Sequence, residues 1–129
     1  MEKAKILLVD DESDVTRILS KRLGRRGFEC QTAANGQEAV DAMGQYVYGV
    51  IIMDVKMPVM DGMSALQIIH SRWPKTQVIL LSGHADMQLA VQAMSEGACG
   101  YLMKPVDIEE LLFKIEDAVT QVRLEAGQS

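Results

Sequence analysis

The chain has 129 residues, 48% of them hydrophobic and 24% charged, which suits one packed domain and excludes a disordered chain. Its net charge of −5 argues against a nucleic-acid-binding surface, and no apolar run reaches the roughly 18 residues of a membrane helix. Met1 to Lys5 carries no secretory pattern, so a cytoplasmic location is expected, with Cys30 and Cys99, which fit no Cys-x-x-Cys pair, filling core.

Lys5 to Asp10 reads as a first strand, because a continuous apolar run fits a parallel strand covered on both faces. A helix follows, with Val15, Ile18, Leu19 and Leu23 predicted on its apolar stripe and Gly24 and Gly27 bracketing its end. Phe28 to Ala33 is the second strand. Ala34-Asn35-Gly36 is a turn, and Ala39, Val40, Met43 and Val47 mark a short amphipathic helix. Gly49 to Asp54 is the third strand, again apolar and again ending in an aspartate. A loop with Pro58 and Asp61-Gly62 leads to a helix through Leu66 and Ile69 that stops near Pro74. Trp73 is expected to pack at its end, and His70 to lie on its surface.

Val78 to Ser82 is the fourth strand, broken by Gly83. The next helix carries Leu89, Ala90, Ala93 and Met94 and stops at Gly97. Cys99 to Met103 is the fifth strand, ended by Lys104-Pro105. The last helix keeps an apolar stripe of Ile108, Leu111, Leu112, Ile115, Val119 and Val122. Residues 1–124 thus form one predicted domain, and 125–129 a frayed polar tail or the start of a linker. Five strand–helix units with short connections imply a parallel sheet with helices on both faces, an α/β fold.

In such a sheet, ligands sit outside the carboxyl ends of the strands. Those ends carry Asp10 and Asp11, then Asp54, then Ser82 with Gly83, then Lys104 with Pro105. Clustered carboxylates repel one another unless a cation joins them, and carboxylate oxygens suit Mg²⁺, with Mn²⁺ as a substitute. An aspartate beside such a metal is a candidate nucleophile toward phosphorus. Lys104, Ser82 and nearby backbone N–H groups would then meet the phosphoryl oxygens. Taken singly, Asp10 or Asp11 would be a helix cap, Ser82 a turn residue and Lys104 a solvated charge. Their joint placement at four strand ends carries the reading.

Val9-Asp10-Asp11-Glu12, the run from Met53-Asp54 through Lys56, Met57-Pro58 and Asp61-Gly62, Ser82-Gly83-His84 and Lys104-Pro105 together resemble the receiver domain of two-component response regulators. The resemblance covers nearly the whole chain. It implies a flavodoxin-like sheet of order 2-1-3-4-5, and a switch rather than a metabolic enzyme, one that assists its own phosphorylation and hydrolysis. Asp54 would take phosphate from a histidine kinase or phosphotransfer protein. Mg²⁺ would be held directly by Asp11 and Asp54, by Asp10 through water, and by the Lys56 carbonyl. Ser82 and Lys104 would contact the phosphoryl group, joined by Gly83 and Lys56. Ser82 and Tyr101 would switch, and the Lys104–Pro105 bond would be cis. Lys56 and His84, two residues beyond Asp54 and Ser82, are expected to flank the attacking water and slow hydrolysis, the alternative being that they orient that water. The surface of the fourth helix, fifth strand and fifth helix would meet an output domain, a partner or a second phosphorylated copy.

Two other readings stay open at this stage. A phosphatase or phosphotransferase with its nucleophile at the end of the first strand would want Asp-x-Asp, where this chain has adjacent Asp10-Asp11. A flavin-binding module would want a Ser/Thr/Gly-rich phosphate loop there, and Asp10-Asp11-Glu12 would repel phosphate without a metal. The stretches Gly83 to Asp86 and Ala90 to Met94 resemble receivers fused to transcriptional outputs, including ATPases that activate sigma-54 polymerase. The chain is expected to be either a stand-alone receiver or one excised from a longer regulator.

Overall fold

A computed structural model describes residues 5–127, and the calls on residues 1–4, 128 and 129 lie outside it. Five strands form one parallel sheet: β1 Lys5–Val9, β2 Glu29–Ala33, β3 Val50–Asp54, β4 Gln77–Ser82 and β5 Gly100–Met103, in the order β2-β1-β3-β4-β5. The helices are α1 Ser13–Arg25, α2 Gly36–Gln45, α3 Gly62–Arg72, α4 Met87–Ser95 and α5 Ile108–Gly127, with a 3-10 turn at His84–Asp86 before α4. The predicted elements all form, with strand ends moved by a residue or so.

Successive strand residues point to opposite faces, so each buried strand feeds two cores. Leu7, Val9, Ile51, Met53 and Leu80 pack with Val40 and Met43 of α2, Leu66 and Ile69 of α3 and Ala93 of α4. Ile6, Leu8, Ile52, Ile79 and Leu102 pack with Leu19 and Leu23 of α1 and Leu111, Ile115 and Val119 of α5. Both faces being covered explains the unbroken apolar runs. The two edge strands are less covered: β2 has Glu29, Gln31 and Thr32 exposed, and β5 has Met103 exposed and Tyr101 half-buried.

Several apolar assignments need correction. Ile18 is 47% exposed, because the buried side of α1 is centred on Thr16, Leu19 and Leu23, and Ile18 lies on the flank of that arc. Val47 is exposed beyond the end of α2. On α4 only Ala90 and Ala93 are buried; two small residues let the helix lie close to the sheet and leave Leu89 and Met94 on the rim. Cys99 is exposed, so it does not fill core. Cys30 does pack partly inside, and burial pushes its thiol up to about 11. Helix α5 continues through residues 125–127, where a frayed tail was expected. Trp73 caps α3 and packs on the core, and His70 is exposed, as predicted.

Candidate functional site

The strand register brings the polar ends level. Val9 lies opposite Met53, so Asp10 follows β1 beside Asp54 at the end of β3. Ser82 ends β4 opposite Met103, and Lys104 follows β5, its N–H bonded to the Ser82 carbonyl at 2.8 Å. Lys104 Nζ reaches back across the sheet to Asp10 Oδ2 at 2.8 Å and Asp54 Oδ2 at 2.7 Å, with Glu12 Oε1 at 3.6 Å. One ammonium therefore bridges residues from three strand ends. The Lys104–Pro105 peptide is cis.

The remaining oxygens of the two aspartates are tied locally. Asp10 Oδ1 accepts the Glu12 N–H at 2.9 Å, and Asp54 Oδ1 accepts the Lys56 N–H at 3.1 Å. Carboxylate oxygens of Asp10, Glu12 and Asp54 all lie within 4.8 Å of one another. Three hard oxygen donors around one point suit Mg²⁺. Glu12 is a member of this group that the sequence reading quoted in a motif but did not assign. Its only signal was the acidic run itself. Asp11 is exposed and stands outside the group.

Ser82 is fully buried, and its hydroxyl donates to Sδ of Met87 at 3.9 Å, a weak acceptor that gives it up easily. Gly83 precedes the 3-10 turn, whose Asp86 N–H bonds the Gly83 carbonyl at 3.0 Å. Tyr101 is half-buried on β5 and lines a cavity of about 410 Å³ together with Met87, Met94, Cys99 and Met103. Met87 thus bonds Ser82 and lines the same pocket as Tyr101; nothing in its sequence context marks it. The Lys56 side chain is exposed, with Nζ 3.7 Å from Asp86 Oδ1, and His84 is exposed as well.

A family model described as the response regulator receiver domain matches residues 6–116. The chain belongs to that family. Among the receiver's relatives, the DNA-binding transcriptional regulator NtrC of Proteus hauseri is 37% identical over 123 residues, covering 95% of this chain and 26% of that one. The regulatory protein AtoC of Escherichia coli K12 is 39% identical over 115 residues, 89% of this chain and 25% of that one. The chain thus spans about a quarter of the length of these relatives. A solved receiver domain protein from Clostridium thermocellum superposes with a TM-score of 0.90 at 37% identity, covering 94% of this chain and 98% of that one.

The charges of the receiver's pocket are unevenly balanced. Burial pushes the Asp54 carboxyl above its usual range, as does the neighbouring Asp10, against the opposing hydrogen bonds from Lys104 and the Lys56 N–H. Burial alone would lower the Lys104 ammonium, but its bonds to Asp10 and Asp54 outweigh that and hold it above the ordinary lysine value. A single lysine shared among three carboxylates leaves an excess of negative charge, which a divalent cation would neutralise. Among the described residues no helix is long and apolar enough to cross a membrane.

Proposed function

We propose that Asp54 is the phosphoryl acceptor of a cytoplasmic two-component signalling switch, with a histidine kinase or phosphotransfer protein as donor. The observation that carries this is the Lys104 ammonium bonded at once to Asp54 and Asp10 across three strand ends. A carboxylate oxygen of Asp54 would attack phosphorus as the bond to the donor's histidine nitrogen breaks, giving an acyl phosphate on Asp54. Lys104, the Ser82 hydroxyl, Gly83 and Lys56 would meet the phosphoryl oxygens. A bound Mg²⁺ would neutralise charge shared by the carboxylates and the phosphoryl group.

Asp11, Asp54 and the Lys56 carbonyl are the proposed direct metal ligands, and Asp10 a water-mediated one. Asp11→Ala should then weaken Mg²⁺ binding in calorimetry more than Asp10→Ala does. Equal losses would remove the distinction. Glu12 close to Asp10 and Asp54 makes the opposite order the informative alternative, with the inner pair holding the ion.

Phosphorylation adds roughly two negative charges beside Ser82. The Ser82 hydroxyl would leave Met87 for a phosphoryl oxygen, and Tyr101 would turn toward the space released. The α4–β5–α5 surface would change for an output domain, a downstream protein or a second copy. Residues 1–124 would be the receiver unit and 125–129 the start of a connection. The likeness to NtrC and AtoC supports transcriptional control as the output. NMR shifts on adding beryllofluoride should reach residues 83–118 in the native chain. In Ser82→Ala they should stay near the pocket while the analogue still binds. Native shifts confined to the pocket would contradict a transmitted change.

A further inference from the structure

The loop after β3, residues 55–61, joins Asp54 to α3 and supplies the Lys56 N–H that bonds Asp54. Two helix starts hold it. Gly62, the first residue of α3, donates its N–H to the Val55 carbonyl at 2.9 Å, and a Cβ on it would stand 2.4 Å from the Asp54 carbonyl oxygen. Gly36, the first residue of α2, donates its N–H to the Met60 carbonyl at 2.9 Å. A Cβ there would stand 2.6 Å from that oxygen and 3.0 Å from Ala65 Cβ. Each glycine uses a donor that a helix leaves unpartnered at its start.

Between the two attachments the chain makes a three-residue turn, the Met60 N–H closing on the Pro58 carbonyl at 2.8 Å. Its central residue, Val59, has φ 70. A β-branched residue at positive φ is strained, and turns of this kind are rare. Val59 is 83% exposed, so packing of its own side chain does not hold it there. The attachments on either side must do so.

We propose that Gly36, which lies on α2 with its close contacts to Met60 and Ala65, is a positioning residue for phosphorylation of Asp54. It holds the Met60 carbonyl at a distance only a residue without Cβ permits. That contact keeps the strained turn closed, and the closed turn sets the Lys56 backbone beside the acceptor. A methyl group at position 36 must displace a backbone oxygen, which cannot rotate away as a side chain would. The turn then relaxes and the Lys56 amide leaves Asp54. The proposal rests on the reading of Asp54 as acceptor.

The test compares the native chain with Gly36→Ala, Val59→Gly and the double variant. Mg²⁺ affinity by calorimetry, labelling by acetyl phosphate and thermal midpoints are measured on each. Gly36→Ala should weaken Mg²⁺ binding by about tenfold and slow labelling by a similar factor. Val59→Gly should raise the midpoint by a few degrees in the native background, since glycine adopts positive φ freely, and leave Mg²⁺ affinity unchanged. In the Gly36→Ala background that gain should vanish, because the strain has already relaxed. If Gly36→Ala does not fold, Gly36→Ala with Ala65→Gly is measured instead, which makes room on α3 and leaves the Met60 contact. A lower midpoint with unchanged Mg²⁺ affinity and labelling would reduce Gly36 to a helix-packing residue. An undiminished Val59→Gly gain would show that Gly36 does not hold the turn. If the native chain fails to label at Asp54, the acceptor reading fails, while coupling of the two midpoints still reports on the turn.

Discussion

Asp54→Asn is expected to lose all labelling by acetyl phosphate and all beryllofluoride binding, and yet to be more stable than the native chain in metal-free buffer at neutral pH. The amide keeps the size of the side chain but has no anionic oxygen to attack phosphorus. The stability gain follows from the charge. Burial raises the Asp54 pKa, so the folded protein holds this proton to higher pH than the unfolded chain, whose aspartate titrates near about 3.9. Between those two values the native state binds more protons, and the contribution of Asp54 to stability falls as pH rises. Above the raised value the full cost is present; the amide never incurs it. The difference in urea midpoint between variant and native protein should therefore be greater at pH 7 than in acid and shrink on acidification. Stable labelling of the variant at another residue would sink the acceptor assignment. A lower midpoint at neutral pH would contradict the electrostatic account.

Lys104→Met should have the second largest effect, in both chemistry and stability. Labelling by acetyl phosphate should slow by about two to three orders of magnitude, the usual loss when a group that meets developing charge is removed. The raised pKa of Lys104 makes its stabilising contribution complete below the unfolded lysine value near about 10.4, and that contribution is lost only as pH climbs through the higher folded value. At pH 7 the whole of it is therefore at stake. Breaking a fully buried charge pair costs about 3–5 kcal/mol, but this side chain is 22% exposed, so about 1–3 kcal/mol is the reasonable range. The variant leaves Asp10, Glu12 and Asp54 without their shared cation. Its deficit should narrow when Mg²⁺ is added or when acid protonates the carboxylates. An equal deficit at all pH values and metal concentrations would mean that Lys104 acts through packing of its stem alone.

Much of this molecule was legible in one dimension. Ile6 to Val9, Val50 to Met53 and Val78 to Leu81 are unbroken apolar runs of strand length, and such runs are stable only when covered on both faces. That fixed the class of sheet. The polar residues that end these runs marked the edge where a site is expected, because ligand sites collect at the carboxyl ends of parallel strands. The helices were less transparent. Ile18 and Leu89 fit an apolar period but lie on the rim, since a helical stripe is wider than the arc a neighbouring sheet can cover.

The sequence by itself determined the strand–helix alternation, the identity of Asp10, Asp54, Ser82 and Lys104 as strand-end groups, and the gathering of acids beside them. Tertiary structure alone decided which of the adjacent acids turn inward. Asp10, Asp11 and Glu12 differ little as sequence, but the chain's path from β1 into α1 buries Asp10, brings the exposed Glu12 carboxylate within 3.6 Å of Lys104 and leaves Asp11 outside the group. It also decided that Met87 accepts the Ser82 hydroxyl and that Gly36 meets Met60. These pairings join residues of different elements, or of a strand and the helix after it. They depend on how those elements dock, a relation set by packing across the whole core, which no local period or propensity encodes.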